Sequence, residues 1–232
     1  MPYPLRYTLS GHIFIGPEDD CDSVVDAMLA TDYNEEFCIS LETDPRFVAR
    51  LMDAGFLVMS MKMEDGECIL LPKLHLVRSA LFFKRLHVKK SIRRFLPRYE
   101  LRPDAGFETI LDRCVEVHGD NWLTPPLVEA IKQLRFLQDP HIRPFSFALY
   151  RDGRLAAGEF GIVSGRIYTS YSGYYDEDNA GTVQLVLASR WLEDSGFSFF
   201  DLGMPLPYKY DLGAVDIYPA HFVELFRRGR NH

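Results

Sequence analysis

The clearest alternation of apolar and polar positions lies between Leu155 and Gly203. Asp152-Gly153 and Ser164-Gly165 are turn dipeptides that bracket the apolar run Leu155 to Val163, and Arg166 to Tyr171 continues in β-favouring residues. A hairpin within a short-looped meander is predicted. From Asp178-Asn179, both good N-cap residues, Val183, Leu185, Val186, Leu187, Trp191 and Leu192 recur with helical spacing until Gly196, a C-cap signal. The pattern returns to a strand at Phe197 and stops at Asp201. This sets a carboxylate at the carboxyl end of a strand, where open α/β sheets commonly build their sites.

Earlier in the chain, Tyr7 to Ile15 alternates like a strand, and a helix is predicted from Cys21 to Leu29 with Asp20 or Asp22 as cap. Asp44 and Pro45 open a second helix that ends on Gly55. Phe56 to Met63 and Glu67 to Leu71 read as two strands joined at Asp65-Gly66, and Pro72 closes this unit. Further on, Phe107 to Val117 and Leu127 to Leu137 have helical spacing, the second with Thr124 as cap. Trp122, at their junction, fits either a core or a wall that stacks on an aromatic ring. The expected class is α+β: a small N-terminal α/β domain (1–72), a basic connecting segment (73–102) and a C-terminal domain (103–232) with a mixed sheet flanked by helices.

Composition narrows the function classes. With 47% hydrophobic and 25% charged residues, 232 residues can bury a substantial core. No apolar run approaches the roughly 20 residues that cross a bilayer, and Met1-Pro2-Tyr3-Pro4 does not open a signal peptide. A cytoplasmic protein with no membrane partner, and a monomer, is expected. Cys21, Cys38, Cys68 and Cys114 are scattered without metal-ligand spacing, so reduced thiols, no metal and no cofactor are expected.

Charge is unevenly spread. Residues 73–102 hold ten Lys and Arg against the single acid Glu100, a net +9, and the other 16 basic and 32 acidic residues leave −16 elsewhere. A basic segment on an acidic body is the footprint of a polyanion site. Phe82, Phe83, Leu86, His87, Ile92 and Phe95 interleave the cations and would anchor one side. Lys84, Arg85, Lys89, Lys90, Arg93 and Arg94 are therefore the candidate phosphate contacts.

Several short motifs occur in one order: Leu74-His75-Leu76-Val77-Arg78-Ser79, Trp122-Leu123-Thr124, Ala157-Gly158-Glu159-Phe160-Gly161-Ile162, Asn179-Ala180, Phe200-Asp201 and Leu212-Gly213-Ala214. Between Leu51 and Phe226 this order resembles the leucyl/phenylalanyl-tRNA–protein transferases. The resemblance implies a GNAT-like C-terminal domain and transfer of an amino acid from aminoacyl-tRNA to the N-terminal amine of an acceptor protein, marking it for N-degron degradation. It also implies an aminoacyl pocket at Trp122, Glu159, Gly173, Leu185, Ala188, Leu192 and Phe200, with Asp201, Tyr171 and Tyr208 beside the reacting ester.

The sequence departs from the family where chemistry is expected. Gly203 replaces a Gln, Tyr171 a Glu, Tyr208 a His and Gly173 a pocket Met, while Ala188 and Leu192 replace Phe residues. Glu159 stands at a hairpin position that is apolar in the family, and Gly55 to Ser60 lacks the family's tryptophan. Glu159 favours a polar or cationic amino acid over Leu or Phe. An activated ester demands chiefly positioning, a proton acceptor and oxyanion donors, so loss of the Gln is compatible with transfer. Two alternatives stand beside it: a GNAT-like N-acyltransferase with another acyl donor, although no pyrophosphate loop lies between Gly173 and Gly181, or a catalytically impaired tRNA-binding homologue.

Overall fold

A computed structural model describes residues 3–31, 33–137 and 141–231. Its centre is a seven-stranded mixed sheet in the order β11-β5-β10-β9-β8-β7-β6. The meander comprises β6 (Glu100–Pro103), β7 (Ile142–Arg151), β8 (Arg154–Ser164) and β9 (Ile167–Tyr175), all antiparallel neighbours. Helix α6 (Ala180–Asp194) then crosses over so that β10 (Phe199–Asp201) runs parallel to β9. Strands β5 (Arg78–Leu81) and β11 (Val215–Ile217) complete the sheet beyond β10. The expected α+β class is thus found, and the basic segment contributes two strands to the sheet.

Local chemistry explains the element boundaries. Asp20 accepts the Ser23 amide at 2.7 Å to open α1 (Cys21–Leu29), and Asp44 accepts from the Arg46 and Phe47 amides to open α2 (Pro45–Asp53). Strands β3 (Leu57–Lys62) and β4 (Cys68–Lys73) form the predicted hairpin, and β4 runs through Pro72. Tyr7 to Ile15 differs from the single strand expected. Gly11 turns back at φ +86°, giving the paired strands β1 (Arg6–Tyr7) and β2 (Ile13–Phe14). Helices α4 (Phe107–His118) and α5 (Pro125–Leu134) follow the expected spacing. The cap chemistry at α5 and α6 does not. Thr124 donates its hydroxyl to Ser60 instead of capping α5, and Asn179 precedes α6 in a left-handed conformation with no side-chain cap bond.

The sheet separates two layers of core. On one face Phe199, Ile167, Ile162 and Phe160 pack with α1, α2, α4, α5 and α8 (Pro219–Arg230). On the other, Phe200, Tyr168, Val163 and Phe147 meet Ala188 and Leu192 of α6, and Trp191 stacks on Phe145 at 5.3 Å. Each such fully buried apolar side chain contributes about 1.5–3 kcal/mol. Helix α8 closes the first layer. The Gly229 carbonyl accepts the Arg166 amide at 3.0 Å, and Arg227 and Arg230 pair with Asp22 of α1. Cys21, Cys38 and Cys114 are buried free thiols, and burial pushes Cys38 and Cys114 up to about 12. Among the described residues no helix is long and apolar enough to cross a membrane.

Candidate active site

Where β8 and β9 run beside the start of α6, a cleft of 520 Å³ opens, within the size range of small-molecule sites. Glu159 and Ser170 line it from the sheet, Gln184 and Leu185 from α6, and Tyr208 and Lys209 from α7 (Pro207–Asp211). Glu159 is 2% exposed, and its Oε2 accepts Gln184 Nε2 at 2.9 Å. Its Oε1 makes no hydrogen bond of full geometry among the described residues, but the Ser170 and Tyr168 hydroxyls lie beside the carboxyl. Burial pushes the Glu159 carboxyl above the usual carboxylate range, with Gln184, the Ser170 and Tyr168 hydroxyls and the Lys209 charge acting in the opposite direction.

Lys209 is itself buried. It donates to the Leu202 carbonyl and, at 2.8 Å, to the Met204 carbonyl, and desolvation brings its ammonium down to about 8 against the opposing pull of Asp201 and Glu159. A cation is thereby fixed at the cleft wall where the sheet ends. Such a group can stabilise negative charge developing on a carbonyl oxygen. His118 holds the rim, with Nε2 placed 2.8 Å from the Gly173 carbonyl. Gln184, Lys209, Ser170 and His118 were not predicted. The sequence signal for Gln184 was a lone amide inside the apolar run Val183 to Leu187.

The predicted site residues divide between the two faces. Glu159, Gly173, Leu185 and Tyr208 line the cleft together. Ala188, Leu192 and Phe200 are wholly buried in the layer behind it, and Trp122 packs against the opposite core while its carbonyl accepts from Ser60. These four lie outside the lining of the cleft. Asp201 ends β10 as expected but does not line the cleft. Side chains alternate along β10, so Asp201 points away from Phe200 and from the Glu159 side.

Asp201 is fully buried and its acceptor capacity is occupied. Arg78 Nε lies 2.9 Å from Oδ1 and Nη2 2.6 Å from Oδ2, Thr169 donates to Oδ2 at 2.9 Å, and the Gly203 amide donates to Oδ1 at 3.0 Å. Arg78 is gripped in turn by His75 Nδ1 at 3.2 Å and by the Phe222 ring, 4.5 Å from its guanidinium carbon. The Leu74 to Ser79 motif therefore supports a buried ion pair. Tyr171 lies on this same face, and its hydroxyl accepts the Val58 amide of β3 at 3.1 Å. Asp201 and Tyr171 thus lie outside the lining of the cleft, whereas Tyr208 lines it.

The basic segment borders the cleft. A second cavity of 240 Å³, lined by His87, Lys89 and Ser91, shares Asn179, Thr182 and Tyr208 with the first. Lys84, Arg85, Lys89, Lys90, Arg93 and Arg94 are all exposed, and Arg94 stacks over Phe95 of the interleaved aromatic set. The full count of ten cations overstates the free charge. Arg78 is buried, while Lys73, Lys89 and Arg102 pair with Glu36, Asp211 and Glu100. No cluster of three or more His, Cys, Asp and Glu suited to a metal occurs among the described residues.

A meander, a crossover helix and a parallel return strand, with a polar cleft beside the crossover, make up an α+β domain. The sequence profile described as leucyl/phenylalanyl-tRNA protein transferase matches residues 80–227, and the chain belongs to this family. The leucyl/phenylalanyl-tRNA–protein transferase of Pseudomonas paraeruginosa is 28% identical over 159 residues, 66% of this chain and 69% of the relative. That of Thiobacillus denitrificans is 32% identical over 128 residues, 54% of each chain. The match to the first relatives spans about two thirds of their length. Among solved structures, L-PGS from Bacillus licheniformis is similar at TM-score 0.44 and 11% identity, covering 97% of this chain and 88% of the other. A GCN5-related N-acetyltransferase from Kribbella flavida is similar at TM-score 0.39 and 13% identity, covering 87% and 73%.

Proposed function

We propose that this protein transfers an amino acid from aminoacyl-tRNA to the N-terminal amine of an acceptor protein, in the cytoplasm where charged tRNA is made. The observation that carries this reading is that two cavities adjoin beside the basic segment. Lys89 lines the smaller one, and Asn179, Thr182 and Tyr208 line both it and the polar cleft. A phosphate backbone on the cations would deliver the terminal adenosine through the smaller cavity and its ester into the larger.

In the reaction the acceptor nitrogen bonds to the ester carbonyl carbon, the ester C–O bond breaks, and the ribose oxygen leaves with the proton released by the amine. The ester supplies the activation, so the protein's share is placement and charge stabilisation. Lys209, whose ammonium is held at the cleft wall by the Leu202 and Met204 carbonyls, would stabilise the developing oxyanion, and the Tyr208 hydroxyl would relay the proton. The product carries a new N-terminal residue, the kind of mark that N-degron degradation reads.

Incubation of the purified protein with a full set of charged tRNAs and free-amine peptides tests the reading. A peptide longer by one residue is the expected product, and acyl-CoA should yield none. Salt-sensitive binding of tRNA without transfer would instead assign the protein as an impaired, tRNA-binding member. Transfer from acyl-CoA alone would assign the other acyltransferase chemistry.

A further inference from the structure

We infer that the unpaired end of β9 receives the N-terminal tail of the acceptor protein as an added strand, parallel to β9 and with its free amine at Ser170. The identity of this guest rests on the transfer reading. Its place comes from the sheet: β10 pairs with β9 from Ile167 to Thr169 and stops there, whereas β9 stays paired with β8 as far as Tyr175. Two local features part the strands. The extra residue Tyr171 bends β9 and sharpens its twist. Beyond Asp201 the other strand turns toward β5, where the Leu202 amide donates to the Ser79 carbonyl at 2.9 Å before Gly203 at φ +70°. The 520 Å³ cleft fills the resulting gap, with Gly173 and Tyr175 on one wall and Leu202 and Lys209 on the other.

The ladder determines which backbone groups face away from β8. The Asp176 amide donates to the Ala156 carbonyl at 2.9 Å, and bonded pairs alternate along antiparallel strands, so the amides and carbonyls of Gly173 and Tyr175 turn outward. His118 already uses one of them, with Nε2 2.8 Å from the Gly173 carbonyl. Among the described residues no strand takes the Gly173 amide or either group of Tyr175, and both residues are exposed. Ser170 to Tyr175 contains no Lys or Pro that would blunt such an edge. An extended peptide bonds to it through its own main chain, and a tail of about five residues spans the segment at about 3.3 Å each. Burial gives the direction. Ser170 and Lys209 both neighbour Glu159 at the inner end, whereas Gly173 and Tyr175 form the exposed mouth, so the amine enters first and the folded body of the acceptor stays outside.

The test uses the full chain and short dye-labelled peptides with a free α-amine, varied at the first residue. Anisotropy reads their binding without tRNA, and a full set of charged tRNAs reads transfer. Peptides N-methylated at one backbone nitrogen at a time should bind about tenfold more weakly at every second position, where the nitrogen faces β9, and near-normally at those between. Hydrogen exchange at the Gly173 and Tyr175 amides should slow when the parent peptide binds. Tyr175→Pro removes an outward amide without touching the β8 ladder and should raise the peptide Kd about tenfold. Tyr175→Ala keeps that amide and should cost several-fold less, with thermal unfolding reporting that both variants fold. Should Tyr175→Pro not fold, the methylated series on the wild type decides alone. Equal losses in the two variants, methylation effects that do not alternate, or unchanged exchange at Gly173 and Tyr175 overturns the inference. Alternating peptide binding without transfer keeps the inference and removes the transfer reading. Transfer without that alternation keeps the reading and removes the inference, and if the peptides neither bind nor react, both fall.

Discussion

Arg78 and Asp201, 123 residues apart in sequence, meet as a bidentate pair inside the sheet, with Asp201 opposite Ala80 across the β5–β10 ladder. Arg78 is 1% exposed and Asp201 fully buried, so each charge depends on the other. Removing one partner of such a pair strands the remaining charge and costs about 3–5 kcal/mol. Asp201→Leu is therefore expected to lower unfolding stability by that order. Arg78→Met combined with Asp201→Leu should recover much of the loss, and denaturant titration of the two single variants and the double variant measures it.

His75 gives this cluster a dependence on pH. Burial beside Arg78 lowers the imidazole from an ordinary 6.5 to about 2, so the ring stays neutral and accepts from Arg78. The unfolded chain takes up a proton near pH 6.5 while the folded one does not. Stability is therefore present above about 6.5 and declines as pH falls below it, by about 1.4 kcal/mol per pH unit for one group. His75→Gln, which can still accept from Arg78, should reduce the slope between pH 4.5 and 6.5 by one proton. Equal slopes for both proteins would contradict the assignment.

Four of the predicted phosphate contacts, Lys84, Arg85, Lys90 and Arg94, are exposed and their side chains make no ion pair or hydrogen bond among the described residues, whereas Lys89 pairs with Asp211 and Arg93 donates to the Val88 carbonyl. Replacing all four with Ala should reduce the salt dependence of tRNA binding by about 3.6 in log–log slope, since each phosphate contact contributes about 0.9. Filter binding between 50 and 200 mM salt, a range of about fourfold, reads the change. Binding that keeps its slope would move the tRNA to another surface.

Gly203 occupies the place of the family's Gln. Its φ is +70°, and an added Cβ would lie 3.5 Å from Leu57 Cδ1, so space is present but the backbone is left-handed. Gly203→Gln should fold with a loss of about 1–3 kcal/mol, the cost of a non-glycine residue held in that region. Thermal unfolding measures the loss. A more stable variant would show that the turn readily changes conformation.

The parts legible in the sequence rest on local chemistry. Asp20 and Asp44 cap the helices they were expected to cap, and the hairpin dipeptides mark their turns, because a few neighbouring residues determine those structures. Glu159 was visible as a charge in an apolar strand. Its surroundings were less so, since the register shift opposite Phe160 and Gly161 leaves an extra residue, Tyr171, on β9, while β8 keeps its alternation. The pairing of Arg78 with Asp201 requires β5 to enter between β10 and β11, a long-range choice that no periodicity encodes. Lys209 and Gln184 look like solvent positions in sequence and are buried because carbonyls or a carboxylate await them.

Helix α8 works as a clasp on two distant parts of the chain. Gly229 sits so close to Ile167 that a side chain there would come within 2.6 Å, while Arg227 reaches Asp26 at 2.7 Å. Amide protons in α1 and at the start of β9 should consequently exchange through a shared opening event. Gly229→Val should unlatch both at once, leaving the middle of the meander protected, a pattern that hydrogen exchange followed by mass spectrometry resolves directly.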